Sequence, residues 1–550
     1  MIKGLEEWAS QNRVNTEEIS QDLRPGKVLK KGQNQQHLTE PPMMYRAQIQ
    51  GRCNLQFAGK NTDLEKWQRE WLSLNNRYQI EDVEGNESLH TIEIKFPYRV
   101  LSNCGQDSIL RPTINTYGVP FIPGSSIKGL FKRVKNPDYQ HAMQRYCGTE
   151  DIPGTLRFHG AYPIGDWQKN IVDIVHPQQE RQVKNNKPTS AYTLISFYEP
   201  KFLFEFSSSD VSINWQEVEQ ILRESLTLGL GGKTSTGYGF YTIPNFANPR
   251  HQELYQKSLH ISLQGKGVSS LLLNAEPEFR PNMFKATLRG HLMRLLGGVC
   301  YNETAVTKDT DRLLGDTESE GVIKIFWETD ELSFNPQTKP ISYHTQGTLH
   351  LSADERAIMG DLLFVGKVLQ FAYIMGGFGK SWRRVWHSQF KPDYKKFAIG
   401  CHWQSTANWL TIDSPDRLKK FLDDLYQNCQ NRLGSRGTIN YVQNWREVWA
   451  KERVAVYCSS KTVTKSSVID LFHQEPFKTT IEISGKDRPN SEPKAVSYIW
   501  HRMLPVESNQ YLEIVTIFHS PSNGQKFSSF IKKLQQQGLS LIWGKNPSIG

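Results

Sequence analysis

One order of parts occurs twice in this chain of 550 residues, and that duplication limits its fold more than any other feature. In the first pass LHTIEIKFPYRVL (89–101) alternates apolar and polar residues, as a half-buried strand does. After a loop, PGSSIKGLFKRV reads as a helix whose apolar face is Ile127, Leu130, Phe131 and Val134, with Ser125 or Ser126 as N-cap. YCGTEDIPGTLRFHGAYP follows as a glycine turn feeding a strand, and FLFEFSS as another strand. A helix over 215–226 then delivers the run GLGGKTSTGYG, Gly229 to Gly239. The second pass starts near residue 257. HISLQGKG is its strand, FRPNMFKATLRGHLMRLLGG its loop and amphipathic helix, LLGDTESEGVIKIFW its glycine turn, acidic loop and strand, and IMGGFGKSWRRVWH its glycine-rich loop. Four matches in one order predict an internal duplication.

The glycine-rich runs suit a phosphate or a polynucleotide backbone, because glycine reaches positive φ and lets a backbone approach a ligand beside a cation. A nucleotide P-loop is disfavoured. GxxxxGK[ST] ending on Gly232, Lys233 and Thr234 needs glycine at 227, where Thr227 stands. No GxGxxG spacing opens a helix, so the dinucleotide fingerprint fails as well. The candidate RNA-binding residues of the first pass are Lys128, Lys132, Arg133, Gly231, Gly232, Lys233, Thr234 and Ser235. Those of the second are Lys285, Arg289, Lys380, Trp382, Arg383 and Arg384, where cations interleave with Trp382 and Trp386 as single-stranded RNA requires.

With 66 basic against 56 acidic residues the net charge is +10, which favours a polyanionic partner. Seven cysteines form no CxxC pair, so neither a zinc ribbon nor a disulfide framework is indicated and a reducing, cytoplasmic setting is expected. No stretch approaches the roughly 18 apolar residues of a membrane span. Residues 1–85 read as an N-terminal extension, docked through Trp67, Trp71 and Tyr78. Residues 86–250 read as one domain and 251–550 as a second, with a helical insertion at about 388–490. In that insertion SPDRLKKFLDDLYQNCQNRLG signals a helix from Ser414 to Gly434. AVSYIWHRMLP and QYLEIVTIFH read as strands returning to the second sheet.

These motifs resemble the RAMP superfamily, the repeat-associated proteins of type III CRISPR effector complexes. The likeness rests on GVPFIPGSSIKGLFKR, on GTLRFHGAYP after its glycine turn, and on GLGGKTSTGYG. The first half is similar to the sixth Cmr subunit and the second, through RPNMFKATLRGHLMRL and GGFGKSWRRVW, to the first. The insertion-bearing backbone subunit of type III-D is a similar arrangement. The resemblance implies an α+β fold of two tandem ferredoxin-like, RRM-derived domains. It also implies a backbone subunit that grips CRISPR RNA towards its 3′ end and lies along paired target RNA. Other backbone subunits and the large polymerase-like subunit would be neighbours, and no cofactor is needed for binding.

In cleaving members an aspartate before the IPGSS segment promotes metal-dependent scission, and Asp107 stands at about that position, with Mg as the implied ion. Glu276 and Glu278 are weaker substitutes in the second pass. Two other readings are a stand-alone guide-processing endoribonuclease using His159, Tyr162 and Lys201, and an assembly subunit meeting only protein.

Overall fold

The computed structural model describes residues 56–57, 68, 89–102, 112–115, 119–175, 180–185, 192–234, 237–241, 258–272, 274–316, 319–434, 440–485 and 496–547. Asp107, Ser235, Trp67, Trp71 and Tyr78 lie outside them. Helices and antiparallel sheets are mixed, and the frame is α+β with three four-stranded sheets among the described residues.

The first sheet has the order β1-β4-β3-β2, from β1 (Leu89–Lys95), β2 (Ile122–Pro123), β3 (Leu156–Ile164) and β4 (Lys201–Ser208). Alternation in β1 turns Ile92 and Ile94 inward, level with Phe204 and Phe202 of β4. Helix α1 (Gly124–Arg133) adds Ile127, Leu130 and Phe131 to that core, and α2 (Gln140–Cys147) adds Tyr146. Helix α3 (Trp215–Leu226) adds Val218, Ile221 and Leu222. Asn214 caps α3 by accepting the Glu217 N–H at 3.2 Å. At α1 the expectation of a serine cap is corrected. The helix starts at Gly124, directly after Pro123, with no side-chain cap, because pairing of β2 with β3 fixes where the chain turns.

The second sheet, β6-β7-β5-β8, consists of β5 (Leu259–Val268), β6 (Ile323–Asn335), β7 (Ser342–Ala353) and β8 (Cys401–Ser405). Its helices are α4 (Asn282–Gly297), α5 (Glu303–Leu314) and α6 (Asp361–Met375). The run β5-β7-β6 repeats β1-β4-β3, and the duplication extends to single hydrogen bonds. After α2, Gly148 has φ 77°, its N–H reaches Gln144 O at 2.8 Å, and Thr149 N–H reaches Ile152 O at 2.9 Å. After α5, Gly315 has φ 76°, with N–H to Asp311 O at 2.6 Å and Asp316 N–H to Ser319 O at 3.0 Å. The second glycine of each motif is there for close packing. A Cβ on Gly154 would sit 2.2 Å from Tyr146 O, and one on Gly321 2.3 Å from the carbonyl carbon of Leu314. The acidic loop is thus a hairpin tying helix to strand.

Beyond residue 388 the structure departs from the sequence expectation. IWHRMLPVE and QYLEIVTIF do not return to the second sheet, whose β5 edge is already taken by β8. They form β10 (Ile499–Glu507) and β11 (Gln510–Phe518) of a third sheet, β10-β11-β9-β12, with β9 (Val454–Ser459) and β12 (Leu539–Gly544). The stretch read as a helical insertion therefore supplies a strand to each of two sheets. Its one long helix, α7 (Pro415–Leu433), has Ser414 as N-cap and Gly434 as stop, as the sequence predicts. In both later sheets the first strand lies between the third and the fourth, the ferredoxin-like order. A short helix α8 (Ser528–Gln536) precedes β12.

The second and third sheets share one core. Ile261 and Leu263 of β5 and Trp500, Leu504, Leu512 and Ile514 of the third sheet belong to one cluster with α4 and α6. Thirteen of the 16 residues of α4 are buried, so this helix is enclosed rather than amphipathic at a surface.

Candidate nucleic-acid interface

In the first unit the glycine-rich run leaves α3 and lies along the chain that continues β1. Gly232 N–H donates to Leu101 O at 2.7 Å, Gly239 N–H to Arg99 O at 2.7 Å, and Leu230 N–H to Gly239 O at 2.8 Å. The run thus lies alongside the continuation of β1, an edge strand of this sheet. Its glycines are explained by close approach within the protein, since a Cβ on Gly231 would meet Leu101 O at 2.3 Å and one on Gly239 would meet Leu230 O at 1.9 Å. At the tip Lys233 holds a left-handed φ of 58°, a conformation that costs a non-glycine residue about 1–2 kcal/mol. Strain of that kind concentrates at working sites. Thr234 is half-buried, with its methyl against Gly229.

Backbone bonds carry the loop's position across to α1. Thr113 N–H donates to Ser102 O, next to the loop's partner Leu101, and Phe121 N–H donates to Thr113 O, both at 3.0 Å, three residues before the helix starts. On α1, Lys128 is half-buried while Lys132 and Arg133 are exposed. Arg133 lies 3.7 Å from Glu320 with both side chains about half in solvent, an ion pair worth little.

The second unit repeats this frame and uses the positions differently. FKATLR aligns with IKGLFK, so Lys285 answers Lys128 and Arg289 answers Lys132. Both are buried in α4. Arg289 is tied to Gly315 O at 3.0 Å and to Asp311, and Lys285, only 4% exposed, has its ammonium pushed down to about 7 by burial and by Arg289 and Lys324. In the loop, Lys380 bridges to Val268 as Gly232 bridges to Leu101, and Ser381 takes the φ of 58° seen at Lys233. The two lysines are therefore one position out of register, and Lys380 turns to Ser269 O at 3.3 Å. Trp382 and Trp386 are in the core. Arg383 binds Glu447 with both terminal nitrogens, at 2.8 and 2.9 Å. Arg384 donates to Ile499 O at 2.7 Å and Ile483 O at 2.9 Å. The expectation of an open cationic and aromatic strip is corrected at Trp382 and Arg383, which Trp500 of the third sheet covers, and at Trp386, buried against Val268 and Ala398, while Lys380 and Ser381 stay exposed.

Residues 105–242, which include α1 and the glycine-rich run, match the family model of the RAMP superfamily. The first unit is a RAMP domain. No curated protein matches the chain. Among solved structures, apo Cmr1 from Pyrococcus furiosus is 13% identical, over 52% of this chain and 99% of Cmr1, with a TM-score of 0.33. Cmr6 from the same organism is 21% identical, over 28% of this chain and 98% of its own, with a TM-score of 0.20. A chain of the type III-B Cmr-β complex bound to cognate target RNA is 16% identical, over 35% and 78%, with a TM-score of 0.24.

The RAMP domain meets the second unit through a buried charge cluster that the sequence did not signal. Arg99 Nε lies 2.6 Å from Glu278, and Arg280 reaches Asp173 at 2.7 Å and Glu278 at 2.5 Å. Tyr238, near the end of the glycine-rich run, donates to Asp173 at 2.5 Å. Glu278 is thus locked between two guanidiniums and is removed from the catalytic candidates, while Glu276 accepts from Asn170 at 2.7 Å. His159 is exposed on the outer face of the RAMP sheet, 2.7 Å from Ser207 Oγ, Tyr162 stacks on Phe121, and Lys201 pairs with Glu93 at 3.0 Å. Among the described residues no group of His, Cys, Asp and Glu is disposed to hold a metal, and no helix is long and apolar enough to cross a membrane.

Proposed function

We propose that this chain is a backbone subunit of a type III CRISPR ribonucleoprotein effector complex, and that its RAMP domain grips the guide RNA by its phosphates. The observation that carries this reading is the family match across α1 and the glycine-rich run together, where Lys132 and Arg133 are exposed and Lys128 and Lys233 half-buried. Lys128, Lys132 and Arg133 on α1 and Lys233 at the strained loop tip supply the positive charge. The uncapped start of α1 adds backbone N–H groups and the positive end of its dipole. Phosphate contacts of this kind position a strand without reading its bases, so pairing between guide and target supplies the specificity. The second and third sheets are the rigid body that carries this grip and meets neighbouring subunits. Coexpression with partner subunits, with and without a guide, tests the assignment. The intact protein should retain guide RNA through purification, and Lys128→Ala/Lys132→Ala/Lys233→Ala should lose it while still assembling. Full retention by that variant would remove the RAMP-domain grip.

A further inference from the structure

We infer that Lys285 is a site of reversible covalent modification by carbon dioxide, its side-chain amine forming a carbamate in a small cleft between the RAMP domain and the start of α4. Tyr98 and Gly237 line this cleft from the first unit, and Pro281, Asn282, Lys285 and Trp327 from the second. Its volume is about 10 Å³, and it adjoins a cleft of about 30 Å³ that shares Tyr98, Gly237, Pro281 and Asn282. Spaces of this size admit molecules of only a few atoms. Lys285 is the fourth residue of α4, and a helical side chain leans back towards the helix start, which carries its amine to the cleft.

The surroundings disfavour an ammonium there. Lys285 is 4% exposed, and among the described residues no carboxylate pairs with it, because Asp311 is bound to Arg289 and Asp316 to Ser319. Burial first, then Arg289 on α4 and Lys324 on β6, push it down to about 7 against the weaker pull of Asp316 and Asp311, so roughly half is free amine at pH 7. The same groups favour a negative charge. Helix α4 starts with no side-chain cap, which leaves the positive end of its dipole beside the cleft. Trp327, 1% exposed, lines the cleft with an indole N–H that has no hydrogen-bond partner, a donor for a carbamate oxygen. In the step itself the amine lone pair forms an N–C bond to carbon dioxide, one C–O π pair moves onto oxygen, and the nitrogen releases one proton to water. Nothing is oxidised or reduced, and withdrawal of carbon dioxide reverses the step.

The full chain should be equilibrated with ¹³C-labelled carbon dioxide and bicarbonate at about pH 8, and its carbamates methylated by a trialkyloxonium reagent for peptide mass spectrometry. The adduct is expected on the peptide holding Lys285, above the level on exposed Lys532, whose ordinary ammonium does not react, and the chain's α-amino group serves as positive control. It should fall away as pH drops below about 7. Lys324→Met should reduce it several-fold and move its pH midpoint upward, because one cation that frees the amine and holds the product is gone. A second measurement reads the fold. Unfolded lysine is nearly all ammonium at pH 8, so carbon dioxide at constant pH should raise the melting temperature of wild type and leave that of Lys285→Met unchanged. Labelling at Lys285 no higher than at Lys532, or a melting response equal in the two proteins, overturns the inference. Neither outcome bears on the RAMP-domain grip, which Lys285 does not share.

Discussion

Replacing Glu447 with glutamine removes the one carboxylate that three buried guanidiniums share. Glu447 and Arg294 are both 0% exposed, and Arg383 and Arg446 are close behind. Burial alone would raise the Glu447 carboxyl, but Arg383, Arg446 and Arg294 together hold it down to about 2. Against an ordinary glutamate near 4.5, that depression corresponds to roughly 3 kcal/mol of folding free energy. The measured cost of breaking a buried ion pair, about 3–5 kcal/mol, agrees. The second and third sheets share a core and should melt as one body, for which 1 kcal/mol lowers Tm by about 2–4 °C, so a fall of roughly 6–12 °C is expected at pH 7. Differential scanning calorimetry of wild type and Glu447→Gln reads it. The sign with pH is fixed. A carboxyl whose folded value is depressed stabilises fully above its unfolded value and loses that contribution as pH falls from about 4.5 towards 2, so the two proteins should converge over that range. A loss under 1 °C at neutral pH would refute the claim that this carboxylate holds the cationic core together.

Three further outcomes are expected, the first two from the structure and the third from the sequence. Lys285→Met should stabilise the fold by up to about 5 kcal/mol below pH 7, where the buried ammonium is still charged, and the gain should fade as pH rises from about 7 towards 10.5; a gain that grew with pH in thermal melts would contradict the burial argument. Gly231→Ala should destabilise the RAMP domain by about 1–3 kcal/mol, because its φ is 79° and its Cβ would meet Leu101 O at 2.3 Å; an unshifted urea midpoint would count against that packing. Asp107→Ala should abolish Mg-dependent target cleavage by the assembled complex if this subunit cuts, and unchanged cleavage at every position would remove Asp107 from that role.

The duplicated frame was legible because its markers are local. A glycine turn, an acidic loop and a second glycine require one backbone geometry, and Gly148 with Gly154 and Gly315 with Gly321 meet it alike. Helix α7 was legible for the same reason, since Ser414, Pro415 and Gly434 state its limits within one segment. The third sheet was not. Its strand β9 is separated from its partner β11 by about fifty residues, and nothing in VAVYCS names that partner. The fate of the second loop was hidden for a related reason. Cations and tryptophans at 380–386 read as a surface in isolation, and Glu447, Trp500 and backbone carbonyls from distant segments turn Trp382, Arg383 and Arg384 inward while Lys380 stays exposed. In the first unit, among the described residues, Lys132 and Arg133 are exposed, with Arg133 beside Glu320.

The most direct measurement is the salt dependence of guide RNA affinity for the complex carrying wild-type or Lys128→Ala/Lys132→Ala/Lys233→Ala protein. Each phosphate neutralised on single-stranded RNA contributes about −0.7 to the slope of log affinity against log salt, so three lost contacts should flatten the slope by about 2 and weaken binding at low salt. Equal slopes for the two proteins, with equal affinity, would contradict the claim that the RAMP domain holds the guide by its phosphates.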